Sequence, residues 1–238
     1  MPRAFAIPKR AIPRGSLVVS CQARPDNPLH GPQFMAAMAR AAEAGGASAI
    51  RANGPADIAA IRAAVALPII GILKRDDPGS PVSITPDFAA ARAVVDAGAD
   101  IVALDATDRP RNGEALDVLI PRIRTELCRE VMADVATLAE GLAAARLGAA
   151  YVASTLSGYT GQTPPPDEPD LDLVRDLAGS LSGLDAAVVA EGRYATPADV
   201  TRAFECGVHA VVVGTAITNP REITRRFAAA APRRACSP

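Results

Sequence analysis

DIVALDAT, residues 100–107, is apolar on both alternating phases from Ile101 to Leu104 and then ends on Asp105 and Thr107. A strand apolar on both sides is covered on both faces, as in the parallel sheets of α/β proteins. One that closes on an acid and a hydroxyl also has chemistry to offer at its C-terminal end. Seven further runs share the form: LVVSCQ (17–22), SAIRAN (48–53), PIIGILK (68–74), EVMADV (130–135), AAYVAST (149–155), AAVVAEG (186–192) and HAVVVGTA (209–216). Between them lie Ala-rich stretches such as PQFMAAMARAAEAG and PDFAAARAVVDAG, with apolar residues at helical spacing. Several close on Gly45, Gly98, Gly148 or Gly207, as helix C-termini do.

Eight strand–helix units in 238 residues predict one (β/α)8 TIM barrel domain over residues 1–238. Residues 1–14 read as an N-terminal extension and 231–238 as a frayed tail. A doubly wound open sheet is the competing arrangement, but it seldom uses so many evenly spaced units. GYTGQTPPPDEPD (158–170) is too long and Pro-rich for an ordinary βα turn. It reads equally as a loop over the site or as a rigid surface loop.

Composition narrows the function. The net charge is −1 and aromatic residues make up 3%, so there is neither a basic field nor a stacking platform for nucleic acid, and no basic patch for a membrane. Cys21, Cys128, Cys206 and Cys236 have no metal-ligand spacing with each other or with His30 and His209. They read as reduced thiols. With no apolar signal region and no 18-residue apolar run, a soluble cytoplasmic protein is expected.

In a barrel the active site lies at the C-terminal ends of the strands. Here those ends carry Ser20 and Gln22, Arg51 and Asn53, Lys74, Asp105 and Thr107, Asp134, Thr155, Glu191 and Thr215. Strand alternation puts Arg51 in phase with Ala49, Lys74 with Ile72, Asp134 with Met132 and Glu191 with Val189. If those apolar partners fill the interior, the charges rise from it toward the mouth. Each residue alone reads equally as a loop residue, but seven strand ends together do not.

Only Lys9 and Lys74 are lysine among 25 basic residues. Arginine cannot shed its proton at working pH, whereas a desolvated lysine near other cations can. Lys74 therefore reads as a proton acceptor, with Arg51 and Arg75 as the neighbouring cations. Gly192 and Gly214, after the seventh and eighth runs, suit a phosphate held by bared backbone N–H groups.

Together these stretches resemble the N-acetylmannosamine-6-phosphate 2-epimerase family of bacterial sialic-acid catabolism. The matching segments include VVSCQA (18–23), AIRAN (49–53), PIIGILKRD (68–76), ALDAT (103–107), MADVAT (132–137), STLSGYT (154–160), AEG (190–192) and GVHAVVVGTAITNPREITRRF (207–227). The resemblance implies an isomerase that uses no metal or organic cofactor and interconverts N-acetylmannosamine 6-phosphate and N-acetylglucosamine 6-phosphate. It implies Lys74 and Glu191 as the proton-transferring pair, and Arg51, Asp134 and Gln22 against the sugar. Gly192, Arg193, Gly214 and Thr215 would hold the phosphate. Thr155 and Asp105 are further candidate substrate contacts, Asp105 equally a group that orients Lys74 through a hydrogen bond.

His30 reads equally as a substrate contact or a loop residue, and His209 as structural. The family is compatible with a homodimer, although no interface signature stands out. Two rival readings stay open: a Schiff-base aldolase or decarboxylase using Lys74, and a non-catalytic phosphosugar-binding barrel.

Overall fold

The computed structural model describes residues 10–76, 78–161 and 168–232. Most of the Pro-rich 161–169 stretch and of the 231–238 tail lies outside them. Eight parallel strands close into a barrel in chain order: β1 (Ser16–Cys21), β2 (Ala49–Asn53), β3 (Ile69–Ile72), β4 (Ile101–Asp105), β5 (Glu130–Asp134), β6 (Tyr151–Ala153), β7 (Ala187–Glu191) and β8 (Ala210–Val213). The helices are α1 (Pro32–Ala44), α2 (Pro55–Ala64), α3 (Phe88–Asp96), α4 (Leu116–Glu126), α5 (Leu138–Arg146), α6 (Leu171–Ser180), α7 (Pro197–Glu205), the four-residue α8 (Thr215–Thr218) and α9 (Pro220–Ala230). This is the (β/α)8 barrel that the spacing predicts.

The double apolar phase of the strands separates into two cores. Val18, Ile70, Ile72, Met132, Tyr151 and Val189 point inward with their in-phase neighbours and fill the barrel. Val19, Ile50, Ile69, Val102, Leu104 and Val131 point outward and pack on the helices. Local signals start the helices where the packing needs them. Thr137 and Thr196 each form a reciprocal capping box, with Glu140 and Asp199 respectively. Proline opens α1, α2, α7 and α9.

Three expectations are corrected. The sixth run is a strand only over Tyr151–Ala153, and Ser154–Leu156 turns into a 3₁₀ helix that carries Thr155 away from the sheet. The eighth run stops at Val213, so Thr215 begins α8 instead of ending a strand. Lys74, expected at the end of the third strand, lies beyond β3 in a 15-residue connection (73–87). That connection folds back on itself: Lys74 pairs antiparallel with Ile84, and Ile84 packs into the barrel interior.

Of the expected N-terminal extension, residues 10–14 are described, and they pack against the barrel. Ile12 is fully buried in the barrel-filling core. Its N–H donates to the Tyr151 hydroxyl (3.1 Å) and its carbonyl accepts from His209 Nε2 (2.8 Å). It closes the barrel at the strands' N-terminal ends, opposite the mouth.

Candidate active site

The floor of the mouth is one buried cation between two carboxyl groups. Arg51, on β2, is 1% exposed. Its Nη2 donates to Asp134 Oδ2 (2.6 Å), and its Nη1 to both Asp134 Oδ1 (3.0 Å) and Glu191 Oε2 (2.8 Å). The fork grips Asp134 bidentately, the geometry in which guanidinium–carboxylate pairs are strongest. Despite the penalty of burial, Asp134 and then Glu191 hold Arg51 protonated, above its ordinary range. Its Nε is enclosed without a partner.

Glu191 ends β7 with its backbone fixed by the 3₁₀ turn that follows β6. The Ser154 hydroxyl donates to the Glu191 carbonyl (3.0 Å) and accepts from the Glu191 N–H (3.1 Å). Burial pushes the Glu191 carboxyl above the ordinary carboxylate range; Arg51 opposes that shift and Asp134 adds to it. The Thr155 hydroxyl reaches Asp134 Oδ1 (2.7 Å) and Glu191 Oε2 (3.2 Å).

Lys74 enters from the folded-back connection, exposed at the mouth. Its backbone N–H donates to Asn53 Oδ1 (2.8 Å), and its Nζ donates to Gln22 Oε1 (2.9 Å). Although the residue is open to the mouth, the groups around its amine partly desolvate it, and this, reinforced by Arg51, lowers the Lys74 pKa, while Glu191 and Asp134 act against that shift. Lysine and glutamate are thus moved toward each other from opposite sides, the pattern by which sites keep a base and an acid available at one pH.

Some expected residues stand elsewhere in the network. Asp105 does not orient Lys74. Its Oδ1 accepts from the Thr107 N–H and hydroxyl and its Oδ2 from Arg109 Nη2 (2.6 Å), so it ties down the connection after β4. Arg75, expected as a neighbouring cation, turns out toward Asp87 (2.6 Å), and Arg24 takes its place among the cations acting on Lys74. Arg51, expected against the sugar, has both Nη nitrogens occupied by carboxylates. The Arg193 side chain donates to the carbonyls of Ser157 (3.0 Å) and Glu168 (2.9 Å). His30 Nδ1 donates to the Ala23 carbonyl (3.0 Å) in the first βα connection.

Gly192 and Arg193 both have positive φ, 116° and 61°, so the chain turns sharply after β7. Gly214 lies against Ser20, where a Cβ would stand 3.4 Å from the serine Cβ. These two strand ends are neighbours in the barrel. Among the described residues no group of three or more His, Cys, Asp or Glu side chains could hold a metal ion.

A family model described as "Putative N-acetylmannosamine-6-phosphate epimerase" matches residues 35–233. The chain belongs to this epimerase family. A relative from Cutibacterium acnes, described as a 2-epimerase of the same name, is 49% identical, covering 90% of this chain and 92% of its own. Another from Caldanaerobacter subterraneus is 47% identical, covering 89% of each chain. The solved N-acetylmannosamine-6-phosphate 2-epimerase from Clostridium perfringens superposes with a TM-score of 0.88 at 41% identity, over 92% of this chain and 95% of that one. The same mouth holds one lysine amine and two carboxyl groups bridged by Arg51.

Proposed function

We propose that this chain interconverts N-acetylmannosamine 6-phosphate and N-acetylglucosamine 6-phosphate by removing and returning the proton at C2 of the sugar. The observation that carries the reading is Lys74, held by the neutral amide of Gln22 beside a carboxyl group whose affinity for protons is raised. The relatives' names supply the substrate. The 6-phosphate sits on the backbone N–H groups around Gly192–Arg193 and Gly214–Thr215, far enough from C2 to supply binding energy without taking part in the chemistry.

The C2 proton is acidic only once the ring has opened to the aldehyde. Neutral Lys74 takes that proton, while Glu191 donates to the aldehyde oxygen. The products are an ammonium, a carboxylate and a planar enediol. Return of a proton to the other face of C2, with Glu191 recovering its own, gives the epimer. A single base can do this when the planar intermediate presents its second face to Lys74. Each acid or base contributes about 10²–10⁴-fold. Arg51 acts through Glu191 and Asp134, holding both in place against their mutual repulsion.

The test is proton NMR of N-acetylmannosamine 6-phosphate in D₂O with wild type and Lys74→Met. Loss of the C2 proton signal together with growth of the gluco epimer, both absent in the variant, supports the reading. No exchange with wild type overturns the assignment, and exchange that persists in the variant removes Lys74 as the base.

A further inference from the structure

Thr155 sits at the top of the barrel between β5 and β7, and both contacts of its hydroxyl go to carboxyl oxygens. Asp134 Oδ1 lies 2.7 Å away and Glu191 Oε2 lies 3.2 Å away. The same two oxygens accept from Arg51 Nη1, at 3.0 and 2.8 Å. Two donors and two acceptors therefore close a ring. Arg51 Nη1 carries two hydrogens, one for each carboxyl group, whereas the threonine has a single hydrogen for both. Without the hydroxyl, the two carboxyl oxygens would be bridged by Arg51 alone.

We propose that Thr155 is a positioning residue whose hydroxyl clips the Glu191 carboxyl group to Asp134 and sets its orientation toward the sugar. This rests on Glu191 being the acid of the reaction proposed above. A hydroxyl bridging two carboxyl groups favours the ionised pair, because it offers a donor where their charges face each other. Removing it leaves Asp134, across the ring, to raise the proton affinity of Glu191, with Arg51 on β2 and Lys74 beyond β3 opposing that rise. It also frees the Glu191 carboxyl group to rotate.

Thr155→Val keeps the shape and deletes the hydroxyl; Thr155→Ser keeps the hydroxyl. The first readout needs no turnover: a pH titration of the infrared carboxyl band that Glu191→Gln abolishes. The Thr155→Val midpoint is expected about one unit above wild type, with Thr155→Ser unshifted. In the epimerase assay, kcat of Thr155→Val falls about tenfold, the worth of one hydrogen bond to a charged group. KM stays within about threefold, as for an interaction that does not bind ground-state substrate.

An unmoved midpoint in a folded Thr155→Val overturns the proposal. So does a loss confined to KM, which would make Thr155 a direct sugar contact. Failure of Thr155→Ser to restore the midpoint also sinks it. If wild type does not epimerise, the infrared titration still decides the clip independently of the substrate assignment.

Discussion

The amine of Lys74 is held by Gln22, an uncharged partner, at 2.9 Å, and Gln22 is itself fixed because its Nε2 donates to Ser20 Oγ at 2.8 Å. The neighbouring carboxylates are gripped by Arg51, so among the described residues no carboxylate forms an ion pair with the lysine. A neutral acceptor orients the amine without locking a proton onto it.

Gln22→Glu should convert that contact into an ion pair. An opposite charge within about 4 Å raises a lysine pKa by about one to three units. Since neutral Lys74 is the active form, the rising limb of the pH–rate profile moves to higher pH. At pH 7, kcat/KM falls at least about tenfold, with recovery under alkaline conditions. A profile identical to wild type would show that Gln22 does not govern the lysine.

Arg51→Met should destabilise the fold by about 3–5 kcal/mol, the cost of stranding buried carboxylates without their partner. Urea unfolding at pH 8 measures it. With Arg51 gone, burial and the nearby Asp134 raise the folded-state pKa of Glu191 without the opposition of the guanidinium, so the folded state binds protons more readily than the unfolded chain. The deficit is therefore smaller at pH 5 than at pH 8. An equal deficit at both would mean that packing, not charge, accounts for the loss.

The barrel was legible because its signal is repeated eight times, and Arg51, Asp134 and Glu191 were legible because strand alternation fixes which side a residue faces. Loop conformation has no such period. Asp105 is expected near Lys74 as a strand-end carboxylate and Arg75 as its neighbour in sequence, but Asp105 is drawn to Thr107 and Arg109, and Arg75 to the α3 cap Asp87. Thr155 was read as a strand end because AAYVAST is apolar enough to continue; the 3₁₀ turn that puts its hydroxyl between two acids depends on partners far away in sequence. Ile12 gave no signal at all, standing alone in a Pro-rich and basic segment.

Ile12→Ala should cost about 2–5 kcal/mol, the range for emptying a fully buried aliphatic site. Because Ile12 closes the end of the barrel away from Lys74, kcat at a temperature well below the melting point should stay within about twofold of wild type. Differential scanning calorimetry and a single rate measurement check both halves. Unchanged stability would mean that the 10–14 segment does not plug the barrel.

Gly71 offers the sharpest test of packing near the site, because two rules predict opposite signs. Replacing a glycine with φ in the ordinary strand region by alanine restricts the unfolded chain and usually stabilises by about 0.4–1 kcal/mol. At Gly71, however, an added Cβ would stand 2.6 Å from the Ala99 Cβ and 3.1 Å from the Val94 Cβ. Neither neighbour can rotate these atoms away, and both are buried. Relief requires α3 and the turn that leads into β4 to move from β3, at a cost of about 1–3 kcal/mol for an overpacked core. The overlap wins, so Gly71→Ala is expected to be less stable. Since Gly71 is only three residues from Lys74, the displaced strand should also shift the amine from Gln22 and lower kcat more than KM. A variant more stable than wild type, with kcat intact, would show that β3 and α3 have room the geometry does not allow.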